Sequence, residues 1–426
     1  MRVRIRGSSV DGVVQATPSK SYTQRAIVGA LMADGKTEIV NPSKSEDGLS
    51  ALGAARLLGA KVVEQEGSWT LSGGRIETPD DIINCGGSAT TIRLFTAVSA
   101  LAPGVTVLTG SDSLRRRPMA ELLSAMNSIG ASCYSTRRNG LPPIVVLGGG
   151  IDGGEVEMRG DVSSQFVSAL LFACTKARKT TTVRLTTPLE SRHYVEMTVE
   201  ALQRFGAEVR ANFEDGSFQI TGKQTLHSCR YVVEGDYSSV SFMIAAGLLG
   251  GSVDVQGLSS SSRQGDRAIV DLLMKMGGNL ILSSDGVLAT KSCLHGIELD
   301  ARQIPDLVPI LAVAASQATG RTTITGVGRL RLKESDRIKT TVGVLNEMGA
   351  SIRAPEDAII VEGGAPLMGK TINPSNDHRI AMACAVAALV ARGETVIENA
   401  ECVSKSYPSF FEDLKRLGAD VEVEAG

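Results

Sequence analysis

Residues 202–211 read LQRFGAEVRA: two apolar side chains three apart, a glycine, and then a short alternating stretch. Leu202 and Phe205 lie at the end of a helical pattern. Gly206 stands where helices close on a left-handed residue, a conformation that glycine adopts without steric cost. Five other passages share this form, at Gly59 (LLGA), Gly130 (SIGA), Gly277 (KMGG), Gly349 (EMGA) and Gly418 (RLGA). A second series keeps step: KTEIV from Lys36, GVTVL from Gly104, TTTVRL from Thr180, GSVDV from Gly251, RTTIT from Arg321 and GETVI from Gly393. Self-similarity at a fixed period sets architecture ahead of any single motif. In a chain of 426 residues, six copies make units of about 71.

Working outward from Gly206, the unit Val156 to Gly222 predicts a strand at VEM and a polar loop from Gly160 to Ser164. A helix follows over Gln165–Thr175, then the strand TTTVRL and a second helix over Ser191–Phe205. EVRA and SFQI close the unit as two strands joined by the turn Glu214-Asp215-Gly216. The pattern is βαβαββ. The other first helices are expected from about Tyr22, Thr91, Ser239, Pro309 and Arg379. All six are apolar on nearly every side, as in IAAGLLG and AMACAVAALV, which places them inside a core. The expected fold is α/β with sheets outside and helices within.

A chain this long exceeds the size of one growing core, so two domains of three units each are expected. Forty-four basic and 46 acidic side chains nearly cancel, and aromatics are 4% of residues, which argues against a nucleic-acid binder. The seven cysteines are scattered without a CxxC pair and read as small buried hydrophobes of a reducing compartment. No segment has signal-peptide or membrane-spanning character, so a cytoplasmic, monomeric protein is expected.

Chemistry gathers at the helix starts. Ahead of the first helices stand Ser19-Lys20-Ser21, Ser88-Ala89-Thr90-Thr91 with Arg93, and Ser163-Ser164-Gln165. The other three are Asp236 to Ser239, Ile304-Pro305-Asp306 and Asn376-Asp377-His378-Arg379. Hydroxyls and carboxylates there are first of all caps. Lys20, Arg93 and Arg379 are not, because a cation opposes the positive helix end unless an anion lies between them. The second helices open similarly, with Arg115-Arg116-Arg117-Pro118, Ser191 to Tyr194, Lys333 to Arg337 and Lys405 to Pro408. Solvated charged faces are the plain reading of each. Their recurrence at equivalent places points instead to a ligand with more than one anionic group.

PSKSYTQRA (Pro18–Ala26), SATTIR (Ser88–Arg93), RRRPM (Arg115–Met119) and DVSSQF (Asp161–Phe166) resemble the 5-enolpyruvylshikimate-3-phosphate synthase family. So do IPD (Ile304–Asp306), LKESDR (Leu332–Arg337), NDHR (Asn376–Arg379) and SKSYP (Ser404–Pro408). The resemblance runs the full length in order. It implies a two-domain inside-out α/β barrel of six βαβαββ repeats, with a discontinuous domain of residues 1–18 and 235–426, a second of 19–234, and an active site in the cleft between them. It implies transfer of the enolpyruvyl group of phosphoenolpyruvate to shikimate 3-phosphate, with no metal and no cofactor.

By the same resemblance, Arg117, Arg337, Arg379, Lys405, Lys20, Gln165, Ala89 and Thr90 would hold phosphoenolpyruvate. Ser163, Ser164 and Ser191 would hold the phosphate of shikimate 3-phosphate, with Lys20, Ser21, Arg25, Gln165, Tyr194, Asp306 and Lys333 as its other contacts. Asp306 is implied as the base for the hydroxyl, Lys20 and Glu334 as the groups moving protons at the methylene and leaving phosphate, and His378 as a further acid–base candidate. His193, His227 and His295 are read as surface or loop residues. Two departures from the family pattern stand out. Ala89 replaces a glycine, and its methyl group would weaken glyphosate inhibition. Arg329 replaces an asparagine of some relatives. A UDP-N-acetylglucosamine enolpyruvyl transferase would need a cysteine in Ser111–Pro118, which has none. An RNA-end-processing protein of related fold is opposed by charge and aromatic content, and a non-catalytic scaffold leaves Asp306 and Glu334 without a purpose.

Overall fold

The computed structural model describes residues 1–424. The chain forms two compact units, one of Met1–Thr17 with the residues from Glu234 onward, the other of Pro18–Val233. Each holds three four-stranded sheets and its own apolar core.

All six sheets have one topology. Counting strands along a repeat, the order in space is first, second, fourth, third. The first two are parallel and the others antiparallel, as in Gly154–Met158, Thr181–Leu185, Val209–Asn212 and Ser217–Ile220. In four of the sheets the apolar helix bridges the parallel pair, because a parallel connection needs a long crossover; in the other two the first strand comes from a segment remote in sequence. Those helices are Lys20–Met32, Ala89–Ser99, Ser164–Cys174, Tyr237–Gly250, Val308–Ser316 and His378–Val390. Every residue of Tyr237–Gly250 and of Val308–Ser316 is buried. The second helices, such as Arg192–Arg204, bury one face. Helices inside and sheets outside invert the usual α/β layering.

The helix-closing glycines all adopt positive φ, between +79° and +102° at Gly59, Gly130, Gly206, Gly277, Gly349 and Gly418. After each, the next amide reaches back five residues to a carbonyl: Ala60 to Ala55, Ala131 to Met126, Ala207 to Leu202, Gly278 to Leu273, Ala350 to Leu345 and Ala419 to Leu414. These bonds measure 2.8–3.2 Å. This is the Schellman closure, and it turns the chain from the outer helix into the third strand.

Two expectations are corrected. The first helices begin one or two residues earlier than their apolar runs, at Lys20, Ala89, Ser164, Tyr237, Val308 and His378. In five of them polar residues stand in the first turn, whose amides need partners; Val308–Ser316 opens on Val-Pro-Ile instead. The repeats are also not six contiguous segments. Strand Arg230–Val232 pairs with Lys36–Val40 to complete the first repeat, Asp11–Gln15 with Ser252–Gln256 to complete the fourth, and Arg2–Arg6 with Glu394–Ile397 to complete the last. Sequence period counts residues, whereas an edge strand takes whichever partner saturates its hydrogen bonds. The first strand shows the alternation of a one-sided sheet. Val3 and Ile5 are fully buried, while Arg2, Arg4 and Arg6 pair with Glu398, Glu394 and Glu424 outside.

The cysteine reading holds for Cys85, Cys133, Cys174, Cys384 and Cys402, but Cys229 is half-buried and Cys293 exposed.

A further repeat signature was not legible in advance. After the fourth strand, five repeats place a glycine against the end of the buried helix: Gly7, Gly73, Gly148, Gly222 and Gly363. A Cβ there would collide with the carbonyl oxygens of Ala391, Ala30, Ala102, Ala177 and Ala318, respectively. None of the five has positive φ. Close backbone approach alone requires them. Gly148→Ala is therefore expected to cost about 1–3 kcal/mol or more, because the obstacle is backbone and cannot rotate away. Denaturant unfolding checks this, and a loss under about 0.5 kcal/mol, the scatter of ordinary surface changes, would show that the approach is not tight.

Candidate active site

In the Pro18–Val233 unit, polar groups gather at the starts of the three buried helices. Ser88 caps Ala89–Ser99, its Oγ accepting from the Thr91 amide, and Ser163 caps Ser164–Cys174 from the Gln165 amide. Arg93 lies one turn inside its helix rather than ahead of it. Its Nη1 donates to Ser163 Oγ at 3.0 Å and to Gln165 Oε1 at 2.7 Å, and its Nη2 to the Pro118 carbonyl at 3.4 Å. The guanidinium rests on the Phe166 ring, 4.8 Å from its centroid. Gln165 then donates to Thr90 Oγ1 at 2.6 Å. Arg93 thus fixes two neighbouring helix starts, and it leads through Pro118 to Arg117, which is 9% exposed. Ala89, the first helical residue, is buried, and Ser164 likewise.

Lys20 opens the first helix and donates to Asp47 Oδ2 at 2.8 Å. Gln24, one turn on, donates to the Asp47 carbonyl, Ser88 Oγ and Thr91 Oγ1. The lysine is therefore tied to the Ala89 helix start. Asp47 went unnoticed in the sequence because its position, in the first turn of Glu46–Leu57, reads as helix-end electrostatics.

Arg25 is held on several sides. It is 1% exposed, and it donates to Thr198 Oγ1, the Ser21 carbonyl and the Tyr194 carbonyl at 2.7–2.8 Å. Burial pushes its pKa down to about 10. Three of its five N–H donors bracket Ser21, Tyr194 and Thr198. Ser191 is buried and left-handed, at φ 54°, immediately before Arg192–Arg204. A serine held there costs about 1–3 kcal/mol, strain of the kind that gathers at binding sites.

The other unit holds the denser cluster. Arg337, the first residue of Arg337–Glu347, has a side chain only 1% exposed. Its Nη1 donates to Asp306 Oδ1 at 2.6 Å, its Nη2 to Glu334 Oε2 at 2.6 Å, and its Nε to Asp377 Oδ2 at 2.8 Å. One guanidinium clasps three carboxylates. Burial works against its charge, but Asp377, Glu334 and Asp306 overcome this and hold its pKa well above the usual value.

Asp306 is the hub. Lys333 Nζ shares its Oδ1 at 3.2 Å, and Arg379 Nη2 lies 3.5 Å from its Oδ2. Burial pushes the Lys333 ammonium down to about 8; Asp306 and Glu334 pull it back, while Arg337 and Arg329 lower it further. Lys405 Nζ donates to the Asn376 carbonyl at 2.7 Å.

Asp377 also departs from expectation. Besides Arg337 it accepts from Ser335 Oγ and caps its helix through the Arg379 amide. His378 Nδ1 lies 3.8 Å from Asp377 Oδ1, beyond hydrogen-bond reach, and its ring is 1% exposed. That burial fits a core histidine. His227 and His295 are exposed, whereas His193 belongs to the first turn of Arg192–Arg204 and meets Glu196 at 3.0 Å.

Together the clusters supply fixed cations for planar anions and, at Asp306 and Glu334, carboxylates able to take or give a proton. Among the described residues no group of three or more metal-ligating side chains converges.

The sequence model of the family described as EPSP synthase (3-phosphoshikimate 1-carboxyvinyltransferase) matches residues 5–414. The 3-phosphoshikimate 1-carboxyvinyltransferase of Methanococcus vannielii is 40% identical over 98% of this chain and 99% of its own length. That of Methanocella arvoryzae is 42% identical over 99% and 100%. The solved structure of EPSP synthase from Acinetobacter baumannii superimposes with a TM-score of 0.84 at 27% identity, covering both chains completely.

Proposed function

The chain belongs to the EPSP synthase family, and from that premise we propose how its side chains share the work of the reaction. The enzyme transfers the enolpyruvyl group of phosphoenolpyruvate to the 5-hydroxyl of shikimate 3-phosphate and releases phosphate, on the route to chorismate and the aromatic amino acids. The 5-hydroxyl oxygen bonds to C2 of phosphoenolpyruvate while C3 gains a proton, giving a tetrahedral intermediate. C3 then loses a proton, the C2–O bond to phosphate breaks, and the double bond is restored.

In our reading Asp306 takes the hydroxyl proton. Lys20 and Glu334 handle the protons at C3 and at the departing phosphate. Arg337, Arg379, Lys405, Arg117 and Gln165 hold phosphoenolpyruvate, and Ser163, Ser164 and Ser191 hold the phosphate of the acceptor, with Tyr194 and Lys333 beside its ring. Arg25 positions Ser21 and Tyr194, and His378 is structural. The observation that carries the reading is Asp306 held by Lys333, Arg337 and Arg379 at 2.6–3.5 Å. Contacts from Lys333, Arg337 and Arg379 fix where that carboxylate points, as a positioned base requires. A closed, low-dielectric setting then makes fixed charges effective at the developing ones. We propose further that the enzyme is a cytoplasmic monomer.

The direct test is release of phosphate from phosphoenolpyruvate with and without shikimate 3-phosphate. Release that depends on both substrates supports the reading, and release without the acceptor refutes it.

Lys333 adds a pH signature. It must be charged to hold an anionic acceptor, and that charge is lost as pH rises through about 8. The kcat/KM for shikimate 3-phosphate should then fall by about tenfold per pH unit above that point. Lys333→Arg should move the decline to higher pH. A wild-type profile flat to pH 10 would remove the residue from this role.

A further inference from the structure

Asp266 belongs to none of the roles above. It lies in the single turn Gly265–Arg267, just ahead of Ala268–Lys275, and is 4% exposed. Among the described residues its carboxyl accepts one hydrogen bond, from Ser238 Oγ, and no cation pairs with it directly. A carboxyl so deeply buried on one hydroxyl is unusual, since burial of a charge is costly unless it is paired. As a turn anchor it would be outperformed by a neutral side chain.

What lies behind Ser238 supplies a reason. Ser238 is the second residue of Tyr237–Gly250, and its carbonyl accepts from Arg379 Nη1 at 3.4 Å. The same Nη1 lies 3.5 Å from the Asp306 carbonyl, and Arg379 Nη2 lies 3.5 Å from Asp306 Oδ2. The Ser238 carbonyl thus forms part of the wall on which the guanidinium rests. From the cluster outward the order is Asp306, Arg379, Ser238, Asp266. We infer that Asp266 is a positioning residue for enolpyruvyl transfer, acting through Ser238 to set where Arg379 stands against Asp306. The inference rests on the roles proposed above for Arg379 and Asp306.

The charges around it are consistent with this. Facing Asp266 are Asp306, Asp236 and Arg379; Asp236 is itself engaged by Ser239 Oγ at 2.6 Å. Burial, then Asp306, push the Asp266 carboxyl up to about 6; Arg379 and Ser238 counter this, and Asp236 adds to the rise. Below that pH Asp266 is neutral. Above it a second negative charge enters beside Arg379 and opposes an anionic substrate.

The test compares wild type, Asp266→Asn and Asp266→Ala for kcat and for KM of phosphoenolpyruvate from pH 5 to 7.5. Asparagine copies the neutral acid, so Asp266→Asn should match wild type near pH 5. Its kcat/KM relative to wild type should then rise by about threefold or more by pH 7.5. Titration of the substrate itself cancels in that ratio. Asp266→Ala removes the wall behind Ser238, and KM for phosphoenolpyruvate should rise by about tenfold or more, with kcat falling less. Thermal unfolding establishes that each variant is folded, and if the alanine variant is not, the asparagine ratio decides. A ratio constant across the pH range overturns the proposal, as does a folded alanine variant whose KM stays within twofold of wild type. Wild type without acceptor-dependent phosphate release is a separate result, which overturns the functional reading and removes the denominator.

Discussion

Arg337→Ala is expected to destabilise the enzyme by about 3–5 kcal/mol and to abolish measurable transfer. The guanidinium is buried and bonded to Asp306, Glu334 and Asp377 at 2.6–2.8 Å. A buried ion pair adds little net stability, because desolvation offsets attraction, but removing one partner strands the other. Here one deletion affects three carboxylates. Asp377 suffers most, since its side chain is fully buried and keeps only Ser335 Oγ and its capping bond. Glu334 and Asp306 are 15% and 13% exposed and can recover some hydration. In a folding unit of this size the loss corresponds to a fall in melting temperature of about 6–20 °C. Arg337→Lys should fail nearly as badly, because a point charge cannot reproduce a three-way planar fork. Thermal unfolding and phosphate release report the two effects separately. A stability loss below about 1 kcal/mol would mean that the carboxylates hydrate freely once the arginine is gone, and that the cluster is not dry.

Asp306→Ala should show the opposite balance: turnover lower by about 10²–10⁴-fold, with both substrates still bound. Arg337 keeps Glu334 and Asp377, so the fold survives. Arg379 retains the Ser238 carbonyl. What disappears is the proposed acceptor of the hydroxyl proton. A second consequence separates this variant from a merely damaged one. Asp306 is the main influence raising the Lys333 pKa against burial, with Arg337 and Arg329 acting with burial. Without it the ammonium loses its charge more easily, so any decline in acceptor binding should begin below pH 8. Calorimetric titration of each substrate and the pH dependence of acceptor binding make the check. Full turnover would eliminate Asp306 as the base. Loss of turnover together with loss of binding would make it a ligand contact only.

Parts of the cluster were legible beforehand and parts were not. Arg337, Arg379 and Lys333 stood out because cations at helix starts break the capping pattern, and Asp306 through the family resemblance. The partners did not. Asp377 read as a cap and as the orienter of His378, and it is a cap, but its other oxygen belongs to a guanidinium 40 positions earlier in the chain. Asp47 and Asp266 were not singled out at all. The bonds from Arg25 to Ser21, Tyr194 and Thr198 were not foreseen either. Residue type reveals that a charge is present; burial decides which neighbour answers it.

Local sequence determined the repeat, the six left-handed glycines and the burial of the apolar helices, because each follows from the conformational limits or hydropathy of a few adjacent residues. Tertiary structure decided what depends on distance through space. It recruited strands Arg2–Arg6, Asp11–Gln15 and Arg230–Val232 into repeats remote in sequence, and it required glycine wherever a fourth strand meets a helix-end carbonyl. It also gathered Asp306, Lys333, Glu334, Arg337, Asp377 and Arg379 into one largely buried cluster. Pairing and desolvation act between whichever atoms the fold brings within a few ångströms, and no periodicity along the chain records that.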